Sequence, residues 1–205
     1  MNRYNPNTPS FPQRKIMRLK NYDYSQAGLY FITICCKYRE HLFGIIENGE
    51  MILNEFGKIA YDTWAETPQI RDNCQLHEFI IMPNHIHGII EIIFQKASSN
   101  EIGKFKSPSE TIGSIIRGFK IATIKRIREK IEEIENIKKI RTGELQFAPA
   151  EFAPTIIEKI KLLDFKIWQR NYYDNIIRDQ RAYNNISNYF INNPAKWADD
   201  KFFET

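Results

Sequence analysis

The stretch LHEFIIMPNHIHGIIEIIF, residues 76–94, restricts the fold more than any other part of the chain. It holds two apolar, β-branched runs, LHEFIIM (76–82) and HIHGIIEIIF (85–94), separated only by Pro83-Asn84. So short a link can only reverse the chain, because a parallel pair needs a crossover of about a dozen residues or more. The two runs are therefore expected to pair as antiparallel strands. GLYFITICC (28–36) has the same aromatic and β-branched character and is too short for a core helix, so it reads as another buried strand. LFGIIENGEMIL (42–53) predicts a hairpin through Asn48-Gly49, a dipeptide that tolerates the positive φ angles of a tight turn.

Helical spacing appears between these runs. Phe56, Ile59, Ala60 and Trp64 share one stripe, with Pro68 as the stop signal. After an exposed loop at 95–110, Ile112, Ile115, Ile116, Phe119, Thr123, Ile124 and Ile127 make a second stripe. FKIWQRNYY (165–173) is expected as the last strand, and Asp179 is placed to cap a final helix that runs to Asn193 and stops at Pro194. Interleaved helices and tight strand reversals predict an α+β sandwich built on an antiparallel sheet. At 205 residues the chain suits a single domain. We expect residues 21–205 to form it, with an insertion at about 128–164, where Glu, Lys and Ile mix with two prolines.

The net charge of +4 is modest but unevenly spread. Residues 1–20 hold Arg3, Arg14, Lys15, Arg18 and Lys20, no acidic residue and three prolines, which reads as a flexible cationic arm. Cys35, Cys36 and Cys74 form no CxxC pattern, and their odd number suits core thiols in a reducing compartment. No apolar run approaches a membrane span and the start has no signal-peptide pattern, so a soluble, cytoplasmic protein is expected.

Two of the four histidines lie one residue apart, directly behind the Pro-Asn turn. Along a strand His85 and His87 point to the same face, with Ile89 and Glu91 beyond them, while Ile86, Gly88, Ile90 and Ile92 face the other way. The uniformly apolar face should pack on helices, leaving the imidazoles on a more accessible one. Such a pair serves either as two hydrogen-bonded strand residues or as a chelate for one divalent cation. A reacting metal site needs partners from another element. On the final helix Ile186, Tyr189, Phe190 and Asn193 share one stripe, which places Tyr189 and Asn193 one turn apart on the buried side. Asn193 offers an amide oxygen and Tyr189 a phenol able to act as a nucleophile, with Tyr172 and Tyr173 as rivals. Taken alone, these residues favour a core role, with Tyr189 a core aromatic whose hydroxyl reaches solvent and Asn193 ending the helix before Pro194.

Four blocks, RKIMRLKNYDYSQAGLYFITIC (14–35), FIIMPNHIHGII (79–90), IWQRNYYDNIIRD (167–179) and ISNYFINNPAKW (186–197), resemble, in order, those of the REP-associated tyrosine transposases, a branch of the single-tyrosine HUH transposases. The resemblance covers the chain except roughly residues 128–164, where this sequence is longer than short members of the family. It implies a ferredoxin-like α+β fold with helices packed on the antiparallel sheet. His85 and His87, flanking Ile86, match the HUH motif. Tyr189, rather than Tyr172 or Tyr173, matches the nucleophile, and Asn193 stands at the third metal-ligand position, where other branches carry Gln, Glu or His. The implied activity is cleavage and rejoining of single-stranded DNA near a hairpin, through a 5′-phosphotyrosine, with magnesium or manganese as cofactor and a monomer as the working unit. Arg14, Lys15, Arg18 and Lys20 in the arm and Arg117, Lys120, Lys125 and Arg128 on the long helix are candidates to neutralise phosphates. Trp168 and Arg170 are candidates to stack on or position DNA.

Two other classes compete. One is a nucleic-acid-binding protein of this fold without cleavage. The other is a zinc-dependent hydrolase of small molecules, which would normally recruit more His, Asp or Glu. His41 and His77 fall in no second HxH or HExxH pattern.

Overall fold

The computed structural model describes residue 19 and residues 22–94, 110–141, 155–199 and 202–203, and of 138–141 only the backbone. The strands are β1 (Gly28–Cys35), β2 (Gly44–Glu47), β3 (Glu50–Leu53), β4 (Cys74–Met82), β5 (His85–Ile92) and β6 (Tyr173–Ile177). The helices are α1 (Glu55–Ala65), α2 (Thr67–Ile70), α3 (Ile112–Arg141), α4 (Ile156–Leu162) and α5 (Gln180–Asn192). Four strands form one antiparallel sheet in the order β4-β5-β1-β6, and β2 with β3 forms a separate hairpin. Its turn residues Asn48 and Gly49 both have positive φ, 51° and 78°, as the dipeptide predicts. The architecture is the expected α+β class, with an antiparallel sheet covered by helices.

Alternation along β1 and β5 divides the molecule into two layers. Tyr30, Ile32 and Ile34 of β1 and Ile86, Ile90 and Ile92 of β5 face the main core, which α1 closes with Phe56, Ala60 and Trp64 and α3 with Ile112, Ile115, Ile116 and Phe119. Each isoleucine or phenylalanine among them, once buried, contributes about 1.5–3 kcal/mol. Gly88 lies on this face because the Trp64 ring takes its space: a Cβ there would stand 2.7 Å from Trp64 Cζ2. The opposite face carries Phe31, Ile80, Ile89 and Ile177, and α5 lies over it with Phe190 and Ile186. Asp179 fixes the start of α5 by accepting from the Ala182 amide at 2.8 Å, and its charge suits the positive end of the helix dipole.

Two expectations need correction. The last strand is Tyr173–Ile177, not 165–173; of the expected span only Tyr173 enters the strand, and residues 165–172 contribute an isolated bridge between Cys36 and Trp168. The carbonyls of Gln169, Arg170 and Asn171 accept from Lys120 Nζ at 2.7, 3.3 and 3.2 Å, which withdraws them from any ladder, and Asp164 and Phe165 turn the chain with φ of 50° and 55°. As expected, α1 stops just before Pro68, at Ala65 with Glu66 as its C-cap; Pro68 then lies in the first turn of the short α2, where its missing N–H costs nothing. Strand β5 ends at Ile92, leaving Ile93 and Phe94 exposed.

Residues 128–141 continue α3, and Ile131 and, from α4, Ile160 belong to the main core. The middle of the segment expected as an insertion, 142–154, and the basic arm apart from Leu19 lie outside the described residues. Cys35, Cys36 and Cys74 are buried and form no disulfide. Among the described residues no helix is long and apolar enough to cross a membrane.

Replacing Gly88 with alanine tests the two-layer packing. The new methyl must displace Trp64, and overpacking of this kind costs about 1–3 kcal/mol. A loss of unfolding free energy of that size, read from a lowered urea midpoint, is expected; an unchanged midpoint would show that Trp64 yields freely.

Candidate functional site

The site forms where β5 leaves the Pro-Asn turn. His85 and His87 project from the α5 side of the sheet with ring centroids 4.4 Å apart. Their ring orientations are set by hydrogen bonds from the residues around them. Asn84 Nδ2 donates to the Phe202 carbonyl at 2.8 Å, so its Oδ1 is the atom that faces His85 Nδ1, also at 2.8 Å. That oxygen can only accept, so Nδ1 carries the proton and Nε2 is the lone-pair nitrogen of the neutral ring. The strand register pairs Thr33 with His87, and Thr33 Oγ1 lies 2.8 Å from His87 Nδ1. His87 Nε2 then faces α5.

Tyr189 meets it there. Its hydroxyl lies 3.1 Å from His87 Nε2, and the two rings are 5.2 Å apart. Helical spacing places Phe190 at 4 % exposure beneath α5 and leaves Tyr189 at 37 %, so the phenol reaches inward from the edge of the helix rather than from its buried stripe. Phe31, on the neighbouring strand, meets both rings, 5.3 Å from His87 and 6.5 Å from Tyr189. Of the rival tyrosines, Tyr172 is buried in the main core, and Tyr173 is partly exposed with its ring 6.1 Å from that of Phe202.

The expectation that the imidazoles occupy an accessible face is wrong. His85 and His87 are 0 % and 1 % exposed. The cause is the chain beyond α5: Trp197 and Phe202 lie over His85 at ring separations of 5.9 and 4.8 Å, and Phe202 is 5.7 Å from His87. Arg39 stacks on the outside of Phe202 at 4.3 Å and donates to Cys35 Sγ at 2.8 Å.

Among the described residues no group of three or more His, Cys, Asp or Glu side chains is arranged to hold a metal. A cation at the histidine pair would need a neutral third donor, and the chain offers Asn193. It is 2 % exposed and follows α5 directly, between Phe190, 6.2 Å from the His87 ring, and Trp197, 5.9 Å from that of His85. Two imidazoles, each with its Nδ1 held by an oxygen, and one buried amide fit a divalent ion, since a bonded Nδ1 orients and strengthens the Nε2 donor.

The DNA-contact candidates are scattered. Arg14, Lys15, Arg18 and Lys20 lie outside the described residues. Arg117 and Arg170 are exposed. Lys120 holds the 169–171 backbone, and burial pushes its ammonium down to about 8. Lys125 pairs with Glu129 at 3.8 Å, and Arg128 stacks on Phe165 at 4.0 Å. Trp168 belongs to the core, between Phe43 and Phe119, which leaves no ring face on which a base can stack. Thr33 and Asn84 were not singled out from the sequence. Thr33 becomes visible only through the strand register, whereas Asn84, directly before His85, is a signal the sequence carries.

No protein-family model matches the chain. An uncharacterized protein of Haemophilus influenzae (strain ATCC 51907 / DSM 11121 / KW20 / Rd) is 37 % identical over 199 residues, which span 93 % of each chain. The chain belongs to the same family as that protein. Among solved structures, a REP-associated tyrosine transposase bound to a REP hairpin superposes with a TM-score of 0.49 at 15 % identity, over 90 % of this chain and 77 % of that one. A putative transposase from Deinococcus radiodurans R1 gives 0.40 at 14 % identity, over 85 % and 95 %. Likeness at that level assigns neither activity nor substrate.

Asn84→Ala removes the acceptor for His85 and the donor to Phe202 together. Leaving two buried groups without those bonds should cost about 2–4 kcal/mol in urea unfolding. A loss under about 0.5 kcal/mol, within the ordinary range of surface changes, would mean that Asn84 does not hold the site together.

Proposed function

We propose that the protein is a metal-dependent single-stranded DNA endonuclease and strand transferase of transposase type, cutting near hairpin sequences of the REP kind through a 5′-phosphotyrosine. The observation that carries this reading is the 3.1 Å approach of the Tyr189 hydroxyl to His87 Nε2, which joins residues 102 positions apart in the chain. It agrees with the sequence resemblance, which selects the same tyrosine and the same histidine pair.

In this reading His85, His87 and Asn193 would hold magnesium or manganese, which would supply Lewis-acid polarisation of the scissile phosphate, His87 Nε2 giving up its contact with the Tyr189 hydroxyl to do so. Thr33 and Asn84, each against an Nδ1 atom, fix how the imidazoles are turned. Tyr189 attacks the phosphorus: the bond from its phenolic oxygen to phosphorus forms, the bond from phosphorus to O3′ breaks, the phenol loses its proton, and O3′ gains one. One phosphoester replaces another, so a different 3′-hydroxyl can reverse the step without a nucleoside triphosphate. With both imidazoles buried, a phosphate reaches them only after part of their cover is displaced. The arm residues Arg14, Lys15, Arg18 and Lys20, with exposed Arg117 and Arg170, neutralise DNA phosphates.

Tyr189→Phe removes only the attacking oxygen. It should fold and bind a hairpin as the wild type does and give no covalent DNA adduct on a denaturing gel. An adduct that survives in Tyr189→Phe would move the nucleophile elsewhere, and hairpin binding without any adduct in the wild type would leave a binding protein of the same fold. His85→Ala with His87→Ala should abolish divalent-ion-dependent cleavage and lower the metal retained after dialysis; unchanged cleavage and metal content would reject the chelate.

A further inference from the structure

A second polar cluster lies on the α5 side of the sheet, near the other end of that helix. His77 of β4, Glu91 of β5 and Tyr183 of α5 form a chain: His77 Nε2 is 2.7 Å from Glu91 Oε2, and His77 Nδ1 is 3.1 Å from the Tyr183 hydroxyl. Glu78 completes it, because Tyr183 donates to Glu78 Oε2 at 2.6 Å. Tyr183 has one hydrogen and gives it to Glu78, so its oxygen faces His77 as an acceptor, and the cluster ties β4 and β5 to the first turn of α5.

The arrangement has the outline of a nucleophile, base and acid in series, yet its chemistry points the other way. Burial, and then the Glu78 carboxylate, push the Tyr183 phenol up, which keeps it neutral. Burial pushes Glu78 up, but hydrogen bonds led by that of Tyr183 outweigh it and hold the carboxyl below its usual range, as an acceptor. A phenol that must keep its proton to make its bond is an anchor rather than an attacking group.

α5 needs such an anchor. Its apolar contacts with the sheet are few, centred on Phe190, Ile186 and Ala182, and Asn184, Asn185, Asn188 and Asn192 are exposed. Tyr189 follows Tyr183 by six residues, about 9 Å along the helix at ~1.5 Å per residue. A sliding or turning of the helix by 1 Å is enough to break a 3.1 Å contact between Tyr189 and His87. We infer that Tyr183, held by His77, Glu91 and Glu78, is a positioning residue that sets the place of α5 on the sheet and so brings the Tyr189 hydroxyl to His87.

The kinetic consequence rests on the proposed strand-transfer reading; the structural one does not. The nitrogen-15 resonance of His87 Nε2 reports its hydrogen bond, with Tyr189→Phe as the reference for its loss. In Tyr183→Phe that resonance should move toward the reference value, and in Glu78→Gln, whose amide oxygen still accepts from Tyr183, it should stay. An unmoved resonance in Tyr183→Phe would overturn the inference whether or not the protein cuts DNA. On a hairpin substrate, Tyr183→Phe should slow adduct formation at saturating DNA by about tenfold, since misplacement by 1 Å can cost up to about a hundredfold. Its hairpin Kd should be unchanged, and Glu78→Gln should keep the wild-type rate. Complete loss of adduct in Tyr183→Phe with persistence in Tyr189→Phe would make Tyr183 the nucleophile and overturn the positioning role. A full rate in Tyr183→Phe beside none in Tyr189→Phe would do the same while leaving the proposed function standing.

Discussion

The burial of β1 on both faces is the constraint from which the rest of the structure follows. It is hydrogen-bonded on one side to β5 and on the other to β6, and alternate side chains enter two separate apolar clusters. A strand of that kind requires a cover above and below. α1 and α3 supply one cover with large aliphatic and aromatic side chains, and α5 with the chain after it supplies the other. The second layer is the thinner, and that is where the histidines, the phenol and the buried amide collect.

Polar groups in a thin layer are held by directed bonds rather than by packing. Asn84 joins the turn before β5 to Phe202, Thr33 orients His87 across the register, and the cluster around His77 ties α5 to the sheet. Each bond adds about 0.5–1.5 kcal/mol to stability, yet each removes a freedom of rotation or sliding that bulk apolar contact leaves open. On the core side, Lys120 does comparable work on the backbone at 169–171. Orientation, more than energy, is what these groups contribute, and orientation is what the proposed reaction at Tyr189 and the histidine pair needs.

The family relationship and the site speak at different levels. The chain shares 37 % identity across nearly its whole length with a Haemophilus influenzae protein that is itself uncharacterized, so kinship alone supplies no chemistry. The chemistry comes from side chains: two imidazoles with their Nδ1 atoms engaged, an amide, and a phenol within hydrogen-bond distance. Fold class would be compatible with many activities; this set of groups is compatible with few.

Much of the molecule was legible in local pattern. The Pro83-Asn84 reversal, the Asn48-Gly49 turn, the stripe of α3 and the Asp179 cap act over a few residues, so their physics is contained in the sequence around them. The final strand was misplaced because its limits depend on Lys120, some fifty positions away, taking the carbonyls of 169–171. The exposure of the histidine face was misjudged for a like reason: alternation tells which residues share a face but not what will cover it. Spacing along one strand and one helix therefore chose the groups that belong together. Whether they meet, at what distance, and under the cover of Trp197 and Phe202, was settled by register and by the seating of α5, since contacts between residues a hundred positions apart depend on where whole layers come to rest.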